Sequence, residues 1–176
     1  MVKKENKKQF IQINISILTI SDTRNLSSDT SGAYLEKSIN DFGHKVISRK
    51  IITDHVDSIA NILNTWIDDE DVDVIITTGG TGLTGRDVTP EAFGRVIDKD
   101  IPGFGEYFRY ISIQSIGTST IQSRALAGLA KKTYLFGLPG SNGAVKDAWE
   151  KILKYQLDAR HRPCNFVELI PRLNEK

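Results

Sequence analysis

Short apolar runs of strand character alternate along this chain with amphipathic helical stretches, and that alternation limits the possible folds more than any other feature. Residues 11–20 are rich in isoleucine, in the manner of a strand buried on both faces. A polar loop over 21–30 leads into a helix over 31–42. Gly43 is placed to end it, because glycine takes the left-handed conformation without a Cβ clash. Residues 44–52 read as a second strand. In 58–67, Ile59, Ile62, Leu63, Trp66 and Ile67 make one apolar helical stripe. A third strand covers 72–77. Thr89-Pro90-Glu91 predicts a helix start with Thr89 as cap and proline at the first helical position. The spacing predicts a further helix over 103–114 and a fourth strand over 131–138, stopped by Pro139-Gly140. Ser141 then caps a helix whose apolar positions run from Ala144 to Leu157. From Arg160 onward the chain reads as irregular. Strands alternating with helices predict an α/β fold, doubly wound, with a mostly parallel sheet covered on both faces. One domain over 13–170 is expected, between a flexible lead-in (1–12) and a polar tail (171–176).

Charge and cysteine use exclude several function classes. Lys plus Arg total 23 against 22 Asp plus Glu, so no global positive field points to nucleic acid or an anionic membrane. Any anion site must be local. Cys164 is the only cysteine, which excludes an intramolecular disulfide and speaks against a cysteine-based zinc site. The basic residues near Met1 are not followed by a long apolar stretch, because Gln12 and Asn14 interrupt it. Neither a signal peptide nor a transmembrane span is expected, and the cytoplasm is the expected compartment. His44, His55 and His161 lack metal-ligand spacing and read as polar surface groups. Phe104, Tyr107, Phe108 and Tyr110 read as core or subunit contacts.

In doubly wound sheets, ligands collect beyond the carboxyl ends of the strands, where the strand order reverses. Here those ends carry Ser21-Asp22-Thr23, Thr53-Asp54, Thr78-Gly79-Gly80-Thr81-Gly82 and Pro139-Gly140-Ser141-Asn142. In Thr77–Gly82 the glycines uncover successive backbone N–H groups and permit positive φ, while Thr77, Thr78 and Thr81 add hydroxyls. A phosphate cradle and a plain tight turn both satisfy that pattern. It matches neither the dinucleotide fingerprint G-x-G-x-x-G nor the P-loop. Downstream, Arg86 has the planar donors to neutralise a phosphate. Asp87 is either a helix-start carboxylate or an oxygen ligand for Mg²⁺, with Asp54 as a second ligand from a neighbouring strand end. Ser123-Arg124, ahead of the apolar run 125–130, reads as a helix start or as polar contacts for an anionic ligand.

Taken together, Thr19-Ile20-Ser21-Asp22, Thr77-Thr78-Gly79-Gly80-Thr81-Gly82, Arg86-Asp87-Val88-Thr89-Pro90-Glu91-Ala92, Pro102-Gly103-Phe104-Gly105-Glu106, Ser123-Arg124 and Leu138-Pro139-Gly140 resemble the molybdopterin-binding family of MoaB and MogA. The resemblance runs from about residue 13 to 166. Residues 117–124 and 157–166 resemble the MoaB branch in particular. It implies a three-layer α/β molybdopterin-binding fold, assembled as a homotrimer or homohexamer. It also implies adenylylation of molybdopterin by ATP with Mg²⁺, giving molybdopterin-AMP and pyrophosphate. On that basis Asp54 and Asp87 take the catalytic and metal positions. Ser21, Asp22, the Thr77–Gly82 loop and Arg86 take substrate positions, as do Ser123, Arg124 and the turn Pro139, Gly140, Ser141, Asn142. That turn differs from the MogA branch. A molybdopterin-binding protein without AMP transfer is the alternative, and the retained Arg86-Asp87 pair favours the enzyme.

Overall fold

The computed structural model describes residues 8–173 and 175. Its centre is a six-stranded sheet of order β2-β1-β3-β6-β5-β4. The strands are β1 (Asn14–Ile20), β2 (Lys45–Ile52), β3 (Val74–Thr78), β4 (Lys99–Asp100), β5 (Leu126–Ala130) and β6 (Thr133–Leu138). β2, β1, β3 and β6 run parallel, whereas β5 lies antiparallel to β6 and β4 antiparallel to β5. The helices are α1 (Thr30–Phe42), α2 (Val56–Ile67), α3 (Thr89–Phe93), α4 (Pro102–Ile116) and α5 (Asn142–Ala148). A π-helical turn over Trp149–Leu153 carries α5 into its last turn, α6 (Lys154–Gln156). No helix among the described residues is long and apolar enough to cross a membrane.

Side-chain alternation along β1 builds the three layers. Ile15 and Ile17 point to one face, where α1, α4, α5 and the π-helical turn contribute Leu35, Ile39, Phe104, Phe108, Val145 and Trp149. Leu18 and Ile20 point to the other, against Ile59, Leu63 and Trp66 of α2 and Phe93 of α3. All seven residues of β1 except Asn14 are buried, which is why the strand reads as a continuous apolar run. Full burial of each such side chain contributes about 1.5–3 kcal/mol, so the two cores dominate stability.

Several boundaries differ from the sequence reading. Ser123-Arg124 starts no helix: the run 125–130 that follows lies mostly in β5. A two-residue connection joins it to β6, with Ala130 paired to Thr133 and Lys131 at φ 51°. Pairing with an existing strand outweighs the helical propensity of leucine and alanine. Thr89 is the first residue inside α3 and not its cap. Val88 takes the cap position, and the Thr89 hydroxyl donates instead to the Gly79 carbonyl at 2.8 Å. Asp29 caps α1, accepting from Gly32 N–H at 2.9 Å, and the helix begins at Thr30, one residue before the expected start. Gly43 ends that helix at φ 110°, as expected.

His44 corrects the expectation of a surface histidine. It is 3% exposed, with Phe10 stacked at 4.9 Å and Phe42 at 5.5 Å between ring centroids. Burial lowers its pKa to about 4, although the Leu157 carbonyl and the Asp158 carboxylate pull the other way. Tyr107 and Tyr110 are exposed, whereas Phe104 and Phe108 are core.

Candidate active site

Strand order reverses between β1 and β3, and the carboxyl ends of β1, β3 and β6 meet there. Parallel pairing brings Thr19 beside Thr78, and Thr78 beside Leu138, so the segments after all three strands emerge together. The glycines of the β3 loop are required by this crowding. Gly79 has φ 108°, and a Cβ there would lie 2.1 Å from the Ile20 carbonyl oxygen. At Gly80 (φ 64°) a Cβ would meet the Thr89 hydroxyl at 2.5 Å and Asp54 Oδ1 at 3.0 Å. No L-residue side chain fits either place without displacing backbone or the carboxylate.

The loop is tied on every side. Gly79 N–H donates to the Leu138 carbonyl at 2.9 Å, and the Thr78 hydroxyl to the Pro139 carbonyl at 3.1 Å. Thr89 N–H donates to the Gly80 carbonyl at 2.9 Å. Beyond Gly82, Asp87 folds its carboxylate back over the loop, accepting from Thr84 N–H at 2.9 Å and the Thr84 hydroxyl at 2.6 Å. Burial works to raise the Asp87 pKa, but the Thr84 and Gly82 donors and the Arg124 charge outweigh it and hold it below the usual carboxylate value. The opposite holds for Asp54. Partial burial, then repulsion from Asp22 and Asp87, raises its pKa, with Arg86 opposing.

A cavity of about 680 Å³ opens above this loop. Gly79, Gly80, Thr81, Gly82 and Asp87 line it, with Ser123, Pro139, Gly140 and Ser141 from the sequence-derived set. The volume suits a small-molecule ligand. Other expected site residues stand elsewhere. Ser21 and Asp22 border a second, more open depression with Arg24 and Lys50. Asp22 is joined to the exposed Arg86 by an ion pair. Thr77 is fully buried within β3, its hydroxyl without a partner, so it faces the sheet interior and not the cavity. Asn142 accepts from the hydroxyls of Thr30 (2.9 Å) and Ser31 (2.7 Å), and thereby joins α5 to α1.

Arg124 also departs from its expected part. Its guanidinium donates to the Gly82 carbonyl at 2.7 Å and the Asp87 carbonyl at 2.6 Å, and pairs with Glu91. Those bonds fix the loop backbone and leave little for an anionic ligand. The sequence reading missed Thr84, Glu91, Ser112, Ser115, Lys146 and Asp147. Thr84 and Glu91 support Asp87 and Arg124, and the other four line the cavity from α4 and α5. Hydroxyls and charges at helical spacing, facing a wall with Phe108 and Ile116, carry no local signal that marks them. Among the described residues, no set of three or more His, Cys, Asp or Glu is grouped to hold a metal ion. Asp54 and Asp87 are two oxygen donors, fewer than a protein-built cage needs.

Comparison with known proteins places this architecture. The family described as probable molybdopterin binding domain matches residues 16–159. Molybdenum cofactor biosynthesis protein B of Escherichia coli (strain K12) is 49% identical over 158 residues, 90% of this chain and 93% of that protein. The protein of the same name from Bacillus cereus is 44% identical, over 87% of this chain and 92% of its own length. A crystal structure of molybdenum cofactor biosynthesis protein B superposes with a TM-score of 0.86 at 39% identity, covering 96% of this chain and all of that one. The tungsten cofactor synthesizing protein MoaB from Pyrococcus furiosus gives 0.76 at 29% identity, over 93% of this chain and 98% of that one. With the family match spanning the sheet and the loop at its centre, the chain belongs to the molybdopterin-binding family, on the branch of molybdenum cofactor biosynthesis protein B.

Proposed function

We propose that this protein binds molybdopterin and adenylylates it in molybdenum cofactor biosynthesis. The observation that carries the reading is the Asp87 carboxylate lining the same cavity as the uncovered Gly79–Gly82 loop, with Asp54 close enough to repel it. In the reaction a phosphate oxygen of molybdopterin bonds to the α-phosphorus of ATP. The bond to the bridging oxygen of the β-phosphate breaks, and pyrophosphate leaves. Such a transfer needs positioning and charge neutralisation more than covalent help.

The residues divide that work. With Gly79 N–H given to the Leu138 carbonyl and Gly82 to Asp87, the loop leaves the Gly80 and Thr81 N–H groups for phosphate oxygens, and its cross-links to β6 and α3 keep it rigid. Asp87 and Asp54 supply hard oxygen donors that fit Mg²⁺, which usually takes one or two carboxylates and fills its shell with water and phosphate. Bound with ATP, that ion supplies charge neutralisation at the phosphates. Burial first, and the anionic Asp22 and Asp87 second, raise the Asp54 pKa, and a cation held by Asp54 and Asp87 would relieve that repulsion. Arg86, anchored on Asp22, has further donors for the polyphosphate.

The expected setting is a cytoplasmic homotrimer or homohexamer. Tyr107, Tyr110 and Ile113 on α4 support self-association, since they leave large apolar side chains half or more exposed. The test of the reaction is to incubate the protein with molybdopterin, ATP and Mg²⁺ and to follow pyrophosphate release. Release that requires both substrates supports the enzyme. Saturable pterin binding without release makes the protein a non-catalytic molybdopterin-binding accessory.

A further inference from the structure

The cavity has two chemically different ends, and the proposed reaction occupies only one. At the loop end stand backbone donors, Thr81, Ser123 and Ser141, and the Asp87 carboxylate. At the other end stands Asp147 on α5, facing Ser112, Ser115 and the apolar side chains of Phe108 and Ile116 on α4. Six residues separate Asp147 from Ser141, a rise of about 9 Å along a helix, the scale of a fused-ring heterocycle.

Asp147 is held in place from both sides. Its Oδ2 accepts from the Ser115 hydroxyl at 3.1 Å, and its Oδ1 pairs with Lys151 at 2.9 Å. The side chain keeps 20% exposure and lines the cavity. Each carboxylate oxygen has two acceptor sites, so one on each remains for a ligand. A carboxylate held this way presents two adjacent acceptors and no donor. The matching partner is a planar ring edge with two adjacent N–H donors. The 2-amino group and N3–H of a 2-aminopyrimidin-4-one have that arrangement. Adenine does not, because its 6-amino donor stands beside the N1 acceptor, which a carboxylate repels.

We propose that Asp147 reads the 2-amino-4-oxo edge of the pterin and so fixes which substrate occupies which end of the cavity. The inference rests on the molybdopterin reading of the site and adds its direction. The pterin ring lies between Asp147 and the Phe108–Ile116 wall, and its phosphate reaches the glycine loop. Lys151 and Ser115 are positioning residues that orient the carboxylate.

The experiment is fluorescence titration of the full chain with 6-hydroxymethylpterin and with 6-hydroxymethyllumazine, which has oxygen in place of the 2-amino group. Wild type is expected to prefer the pterin by at least about tenfold, the scale of one lost hydrogen bond to a charged group. D147N should lose that preference and keep its ATP affinity. Lys151→Met loosens the carboxylate but leaves it in place, so it should narrow the preference without abolishing it, which separates reading the ring from holding α5 together. Equal affinity of wild type for both probes, no pterin binding, or a preference that survives in D147N would overturn the inference. Adenylylation by wild type with any of those results removes this inference alone. Loss of the preference in D147N without any adenylylation keeps Asp147 as the pterin reader and removes the transfer reaction.

Discussion

The Arg124 guanidinium donates to the backbone carbonyl of Asp87 at 2.6 Å, so this arginine holds the Asp87 main chain while Thr84 holds its side chain. Together with the bond to the Gly82 carbonyl, that contact spans the loop between the cavity floor and α3. Replacing Arg124 with alanine is expected to cost about 1–3 kcal/mol, the scale of hydrogen bonds made by a charged donor. Urea denaturation measures it. Unchanged stability in R124A would show that the loop is fixed by other bonds.

Gly79→Ala should be more damaging than an ordinary surface change. Its Cβ would meet the Ile20 carbonyl oxygen at 2.1 Å, and φ of 108° is strained for any L-residue. A loss of about 2 kcal/mol or more is expected, with disturbed pterin binding, because β1 and the loop cannot both keep their places. Thermal denaturation and pterin titration of the same variant check both effects.

Asp54 sets function against stability. Its raised pKa means that ionised Asp54 is disfavoured in the folded state, by burial and by Asp22 and Asp87. Its contribution is therefore most favourable at low pH and declines as pH rises through the carboxylate range. Asp54→Asn is expected to raise the thermal midpoint at pH 7 by about 1–2 °C, corresponding to a fraction of a kcal/mol. The gain should vanish below the carboxylate range. Adenylylation by the variant should fall even as stability rises.

His44 shapes the acid limb of stability. Its folded pKa of about 4 lies below the ordinary histidine value of 6.5, so the unfolded chain binds the proton more readily between those values. Stability from keeping it neutral is present above 6.5 and is lost as pH falls toward 4. The loss should be on the order of 1–3 kcal/mol. His44→Gln is expected to flatten the profile between pH 7 and 4, measured by urea midpoints.

The β1 and β3 strands, the α2 stripe and the Gly43 stop were legible in the sequence because each depends on local period or backbone freedom. The cavity loop was legible too, through glycines that crowding by Ile20 and Asp54 makes necessary. β5 was not, since Leu126–Ala130 lacks β-branched residues and becomes a strand only by pairing with β6. His44 was misread because Phe10, which stacks on it, comes from the segment ahead of β1, a contact that local sequence does not describe. Arg124 illustrates a further limit. Its residue type suits an anion, but the acceptors it found are carbonyls from 37 and 42 positions away.

Single-turnover adenylylation by wild type and Asp87→Asn tests the central claim most directly. Enzyme in excess over molybdopterin is mixed with ATP and Mg²⁺, and molybdopterin-AMP is followed by chromatography. Product from wild type and a rate at least ~10²-fold lower in D87N, with the fold intact, is the expected result, comparable to losing one transition-state electrostatic contact. Near-normal turnover in D87N, or no product from wild type despite saturable pterin binding, would contradict the account.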